Sequence, residues 1–121
     1  MIYLDERLCI ATNSELISSD NNILDKSRLL SALGNQYQPY GYDEQRIAST
    51  YKSLIINHPF VNGNKRTALL SLLWLCEMNY KIIKLNEDEL IDLTLSIADA
   101  GGSKISVDDI VDKLFDNNYK L

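Results

Sequence analysis

A ten-residue polar loop between two apolar helical segments constrains the fold of this chain more than any other feature. The loop, His58–Thr67, contains a proline, a glycine, two asparagines and two adjacent cations. The segment before it, Asp43–Asn57, predicts a helix with Asp43 as its N-cap and one apolar stripe, made of Ile47, Tyr51, Leu54 and Ile55. Because proline disfavours helical dihedrals at the residue before it, we expect this helix to end near His58. The segment after the loop, Thr67–Asn79, is apolar on nearly every side, which indicates a fully buried helix.

The sequence before this helix pair predicts two shorter helices. The first, Leu4–Ile17, has an imperfect apolar stripe made of Leu4, Leu8, Ala11 and Leu16. A polar cluster at 18–22 separates it from a second helix, which Asp25 caps and Gly34 ends, and whose inward residues are Leu29, Leu30 and Leu33. The segment Asn35–Tyr42, with three tyrosines, a proline and a glycine, predicts no helix and is interpreted as an irregular loop packed on the core.

Two helices are predicted after the pair. Residues 81–85 are short and partly β-branched and favour an extended segment. Asn86 and Glu89 form a capping-box pattern for a helix that Gly101-Gly102 ends and whose inward residues are Leu90, Leu93 and Ile97. Ser106 and Asp109 repeat the pattern for a last helix, with Ile110, Val111, Leu114 and Phe115 as its apolar residues. The fold class is therefore all-α.

Composition narrows the function classes. A chain of 121 residues fits one domain, 1–121, and its net charge of −5 argues against direct nucleic-acid binding, which a basic surface normally supports. The apolar run after residue 67 is too short to span a bilayer, and the N-terminus has no secretion signal. Cys9 and Cys76 have no metal-binding spacing and are interpreted as core thiols of a cytoplasmic protein.

The central loop has the composition of an anion site. Lys65 and Arg66 lie in or just before the first turn of a helix, where the helix dipole is already positive, so these cations are unfavourable there without an anion. Gly63 permits close backbone approach, and first-turn N–H groups are free to bind phosphate. A lone histidine is usually structural, and an Asn-Gly pair is usually only a turn. Because these features converge within ten residues, we predict a phosphate site that faces the imidazole of His58.

The run HPFVNGNKRTA, residues 58–68, resembles the signature of the Fic/Doc superfamily, His-x-Phe-x-Asp/Glu-Gly-Asn followed by Gly or Lys and then Arg. It is most similar to the Doc (death-on-curing) branch, because Lys65 stands where Fic adenylyltransferases usually have a second glycine. Similarity to Doc extends from about residue 25 to residue 80. The resemblance implies a compact helical bundle with a short extended flap, residues 35–42, that docks a target segment before the central helix pair.

The resemblance also implies an enzyme that uses ATP and Mg²⁺ to modify a protein hydroxyl. His58 is the expected catalytic base, and Phe60 the buried aromatic that anchors the loop. Gly63, Asn64, Lys65 and Arg66 are the expected phosphate-binding residues, with Lys65 and Arg66 also catalytic. Doc toxins transfer the γ-phosphoryl group to translation elongation factor Tu and so inhibit translation. This chemistry agrees with the loop, since phosphoryl transfer depends on positioning, charge stabilisation and a base.

Asn62 departs from the family pattern, which usually has an Asp or Glu that helps to bind Mg²⁺. A neutral amide oxygen can ligate Mg²⁺ only without charge attraction, so Asn62 predicts weak metal dependence or slow turnover. Two alternatives remain beside the kinase hypothesis: a Fic-type adenylyltransferase and a catalytically inactive binding module.

The sequence lacks one regulatory pattern that many Fic proteins contain, a glutamate four residues after a serine or threonine. The expected restraint is therefore a separate small antitoxin protein that covers the groove near Arg66.

Overall fold

The computed structural model describes residues 1–17, 22–23, 25–39, 41–99 and 104–116. Its elements are α1 (Glu6–Ile17), α2 (Lys26–Gly34), a one-turn 3₁₀ helix (Asn35–Tyr37), α3 (Asp43–Ile56), α4 (Asn64–Met78), α5 (Glu87–Asp99) and α6 (Val107–Leu114). The described ranges contain no β-strand, only an isolated antiparallel bridge between Ile23 and Phe60. The all-α prediction is confirmed. No described helix is both long enough and apolar enough to cross a bilayer.

Helix α3 lies at the centre and packs against α2, α4, α5 and α6. Its predicted stripe is confirmed, because Ile47, Tyr51, Leu54 and Ile55 are all buried. The phenol of Tyr51 is 2.6 Å from the Thr94 hydroxyl of α5, so the one polar atom of this stripe is satisfied. Buried apolar side chains from all six α-helices join one core, which also contains Phe60 of the loop between α3 and α4.

The first predicted helix begins two residues too early and has the wrong buried face. The backbone of Leu4 is bound on both sides by the Gln36 amide, which accepts from Leu4 N at 2.7 Å and donates to Leu4 O at 2.8 Å. This pairing holds residue 4 outside the helix. Within α1, Leu8 and Ala11 are exposed, whereas Cys9 and Asn13 are buried. The side chain of Leu16 and residues 18–21 lie outside the part that the structure describes.

Helix α2 is capped as predicted, since the Asp25 carboxylate accepts from Ser27 N at 2.9 Å and Arg28 N at 3.3 Å. Leu29 and Leu33 are buried, but the prediction for Leu30 is wrong because it is 49% exposed. The α-helix ends at Gly34 as predicted, but the dihedrals of this glycine stay right-handed, so the chain continues directly into the 3₁₀ turn.

Beyond that turn, the backbone becomes extended. Gln38 has φ −58° and ψ 131°, and Tyr42 has φ −88° and ψ 160°. Tyr42, not Asp43, is the N-cap of α3, because the Asp43 carboxylate instead pairs with the Arg46 guanidinium at 2.8 Å one turn later.

Helix α4 begins at Asn64, three residues before the predicted start. It is not fully buried as predicted. Its faces toward α1 and α3 are closed, but α5 covers the remaining side only in part, and Leu70 and Leu73 are each 39% exposed. The result is an open apolar groove between α4 and α5.

The two C-terminal helices follow the sequence closely. Reciprocal capping bonds join Asn86 with Glu89 and Ser106 with Asp109. The predicted inward residues are buried; they are Leu90, Leu93, Ile97, Ile110, Val111, Leu114 and Phe115. Gly101 and Gly102 lie outside the described ranges.

Candidate active site

The break between α3 and α4 is sharp because Pro59 follows His58. Asn57 caps the end of α3, and His58 then takes a left-handed backbone conformation with φ 47°. That conformation is uncommon for a residue with a Cβ and is sustained only where surrounding structure fixes it. The exposed His58 side chain makes no hydrogen bond or ion pair with any other described residue.

Two short bonds close the loop that follows. The Asn64 amide nitrogen donates to Phe60 O at 2.8 Å, and its amide oxygen accepts from Phe60 N at 3.0 Å. Phe60 is 1% exposed and inserts its ring into the core. The Asn64 side chain, expected to bind phosphate, is therefore engaged in holding the loop in shape.

Two buried asparagines, both distant in sequence from the loop, hold the loop backbone by hydrogen bonds. The Asn62 carbonyl accepts from Asn13 Nδ2 at 3.0 Å and from Asn22 Nδ2 at 2.8 Å. Asn13 also donates to Thr67 Oγ1 at 3.0 Å and accepts from Asn22 at 2.7 Å. Val61 N donates to Asn22 O at 2.8 Å. The segment at 22–23 thus lies alongside the motif.

Sequence reasoning missed Asn13 and Asn22. The available signal for Asn13 was its position four residues after Cys9, a polar side chain on the face that also carries a core thiol. A buried amide there requires hydrogen-bond partners, which the loop supplies. Asn22 gave no such signal, because it stands in a polar cluster typical of any turn.

The first turn of α4 is open toward solvent. Gly63 is its N-cap, with φ 77°, a left-handed conformation that glycine adopts without strain, and no side chain caps the helix. The first backbone bond of the helix is Thr67 N to Gly63 O at 2.9 Å. The N–H groups of Asn64, Lys65 and Arg66 have no acceptor among the described residues. These three donors are therefore available to an anion.

Lys65 and Arg66 occupy this same turn and are exposed. Neither takes part in an ion pair or hydrogen bond with the described residues, although the chain has more acidic than basic residues. The two cations and three amides thus provide positive charge without a counter-ion among the described residues, which suits an anionic ligand.

One cleft of about 500 Å³ joins these groups with the histidine. We call it the phosphate cleft; its lining residues are His58, Val61, Asn62, Gly63, Asn64, Lys65 and Arg66. The structure therefore brings His58, the two cations and the exposed Asn62 side chain together at one surface. No carboxylate is among the residues that line it.

The fit to Mg²⁺ is weaker than the fit to phosphate. In the described ranges, no group of three or more His, Cys, Asp or Glu side chains is arranged so that it could hold a metal ion. In the phosphate cleft the neutral Asn62 oxygen is the nearest equivalent of the acidic ligand expected there. Since Mg²⁺ often binds through substrate phosphates and water with one or two protein ligands, the residues fit a metal carried by the nucleotide.

Burial explains the protonation state of the two cysteine thiols. Burial raises the pKa of the Cys9 thiol to about 11 and that of Cys76 to about 12, with Glu44 also raising the latter. Cys9 Sγ lies 3.9 Å from the Ser71 hydroxyl. Both thiols are free, buried and protonated near neutral pH, as core residues are.

Comparison with known sequences agrees with the motif. No curated protein matched the chain. The sequence profile of the Fic/DOC family matches residues 4–76, more than half of the chain, from the segment before α1 to the last turns of α4. This span includes both asparagines that hold the loop and every residue of the phosphate cleft. On this match and on the geometry of the loop, the chain belongs to the Fic/DOC family.

Proposed function

We propose that this protein transfers the γ-phosphoryl group of ATP to a hydroxyl of another protein. The observation that carries the proposal is the phosphate cleft, where His58 shares one surface with Lys65, Arg66 and the free amides of α4. Members of the Fic/DOC family are typically transferases of phosphate or AMP. Lys65 stands where Doc-like sequences replace the second glycine of Fic adenylyltransferases, and this resemblance favours transfer of phosphate.

Each residue of the phosphate cleft has a role that follows from its chemistry. His58 accepts the proton of the attacking hydroxyl, a role suited to an imidazole, whose ordinary pKa is near neutrality. Lys65, Arg66 and the first-turn amides hold the phosphates and offset the charge that develops during transfer. Asn62 would be the protein ligand of a Mg²⁺ ion bound with ATP, and the ion would supply further neutralisation of the phosphate charge.

The α4–α5 groove supports a role as the toxin of a toxin–antitoxin pair. It has a volume of about 680 Å³, and its lining residues are Lys65, Arg66, Leu69, Leu70, Leu73, Glu87, Leu90, Ile91, Thr94 and Leu95. The apolar floor suits an amphipathic helix, and the two cations at its end suit a carboxylate on that helix. We propose that a small antitoxin binds here and covers Arg66.

The proposed target is translation elongation factor Tu, in the cytoplasm, so that modification inhibits translation. This assignment follows the resemblance to Doc. The acidic net charge of the chain favours a protein target over direct nucleic-acid binding.

Label transfer from ATP to a bacterial lysate tests the reaction. We expect γ-phosphate label on one protein band with the native chain and none with His58→Ala. Lys52→Ala, a charge change on α3 outside the phosphate cleft, is the control and should transfer normally. Transfer of α-phosphate label instead would make the protein an adenylyltransferase. Nucleotide binding without any transfer would make it a binding module, consistent with Asn62 in place of an acidic metal ligand.

A further inference from the structure

His58 is shared by two clefts. The second has a volume of about 490 Å³, and its lining residues are Ser27, Arg28, Ser31, Ile56, Asn57 and His58. We call it the Arg28 cleft. It is formed by the first two turns of α2 and the end of α3, whereas the phosphate cleft is formed by the loop and α4. Of the residues that line either cleft, His58 alone lines both.

The Arg28 cleft is rich in hydrogen-bond donors and has no lining carboxylate. The Arg28 side chain is half exposed, and its Nε lies 3.6 Å from Asp25 Oδ2 outside the lining. Its terminal guanidinium nitrogens have no acceptor among the described residues. Asn57 donates to Arg28 O at 3.3 Å, which joins the two helices that form the walls. A guanidinium with free nitrogens beside a serine hydroxyl, that of Ser31, is suited to bind a carboxylate.

The position of His58 between the two clefts indicates which cleft binds the nucleotide and which binds the acceptor hydroxyl during transfer. The attacking oxygen and the leaving oxygen lie on opposite sides of the transferred phosphorus, so acceptor and nucleotide must approach from different directions. The base must also contact the attacking hydroxyl. If phosphates occupy the cleft of Lys65 and Arg66, the hydroxyl reaches His58 from the other cleft that this side chain lines.

We propose that the Arg28 cleft is the acceptor site, and that it binds a Ser or Thr hydroxyl flanked by an acidic residue whose carboxylate pairs with Arg28. This inference rests on the proposed function. In the reaction, the acceptor oxygen forms a bond to the γ-phosphorus of ATP and the bond from that phosphorus to the β,γ-bridging oxygen breaks. ADP leaves, and the hydroxyl proton passes to His58.

Because His58 is the only histidine, its ring signals in an NMR spectrum are unambiguous reporters of both clefts. The probes are Mg²⁺-ATP and a peptide pool with a central Ser or Thr and Asp at the neighbouring positions. We expect each probe to shift the His58 signals, and we expect the affinity for the peptide to be the same with and without bound ATP. Competition between the two probes would place them in one cleft and overturn the proposal.

Charge recognition by Arg28 is tested with a matched pair of variants and a matched pair of peptides. The Arg28→Ala variant should bind the Asp peptides about tenfold more weakly, because it loses a charge-assisted hydrogen bond at a half-exposed site. Its affinity for peptides with Asn in place of Asp should equal that of the native protein. Lys26→Ala removes one positive charge from the same turn of α2, outside the cleft lining, and should change neither affinity. Circular dichroism shows whether each variant is folded, and Arg28→Gln serves as the second variant. Equal losses for Arg28 and Lys26, or for Asp and Asn peptides, would refute the assignment.

Failure of this inference and failure of the proposed function give different results. Arg28-dependent binding of acidic peptides without any γ-label transfer refutes the kinase but supports the acceptor site. Transfer of γ-label to protein that is unaffected by Arg28→Ala refutes the acceptor site and leaves the kinase standing.

Discussion

Substitution of Asn64 by alanine tests whether this side chain holds the loop, as its two bonds to Phe60 indicate. The variant loses both the 2.8 Å and the 3.0 Å bond and leaves the Phe60 N–H and carbonyl without their partner. Each such bond contributes about 0.5–1.5 kcal/mol net, so the expected loss in free energy of unfolding is about 1–3 kcal/mol. Domains of this size have a total of about 5–15 kcal/mol, so the variant still folds.

Urea denaturation followed by circular dichroism measures this loss. With the slopes usual for small proteins, the midpoint of Asn64→Ala should fall by about 1 M urea. Hydrogen exchange at the Phe60 amide should accelerate, since that N–H loses its acceptor. The matched control is Asn62→Ala, two residues earlier, because that side chain is exposed and only its backbone carbonyl is hydrogen-bonded. We expect it to change stability by less than about 0.5 kcal/mol. Equal midpoints for the two variants would show that the Asn64 bonds contribute nothing measurable.

Three further predictions follow from other residues. The Glu44 side chain is 4% exposed and pairs with Lys81 at 3.0 Å, so Lys81→Ala should leave a buried carboxylate unpaired. The free energy of unfolding should fall by about 3 kcal/mol, the low end for a buried pair because Lys81 is 27% exposed, and adding Glu44→Gln should restore part of it. Because burial raises the folded pKa values of Cys9 and Cys76 above the ordinary 9.0, the two thiols should leave stability unaffected below about pH 9 and lower it as pH rises toward 11–12. Replacing both thiols by alanine should reduce this alkaline decline in urea titrations, and the raised pKa of Tyr51 accounts for part of what remains. Asn62→Asp should tighten Mg²⁺ binding in the presence of ATP, measured by calorimetry, and unchanged affinity and activity would exclude residue 62 as a metal ligand.

Local rules explain which parts of the fold were predictable. The stripe of α3 depends only on helical spacing, and the capping boxes at Asn86 and Ser106 depend on residues three apart. The break at His58 follows from the proline beside it. Each of these features is set by neighbours in the chain, so the sequence was sufficient.

The predictions from sequence were wrong where contacts with residues distant in the chain determine the structure. Helix α1 begins late because Gln36, 32 residues away, binds the backbone of Leu4. Leu30 is exposed because no other element of the described ranges covers that face of α2, which helical periodicity cannot reveal. In the candidate site, the motif gave the identity of His58, Lys65 and Arg66 but not the residues that shape their loop.

The asparagine supports of the loop have a consequence for when the site can exist during synthesis. Asn13 and Asn22 contact Asn62 across 49 and 40 residues of chain, so these bonds form only after α4 has left the ribosome and docked on α1. Until then the motif is present in the nascent chain without a shaped cleft. For an enzyme proposed to act on the translation machinery, this late assembly delays activity until α4 has emerged from the ribosome and docked on α1.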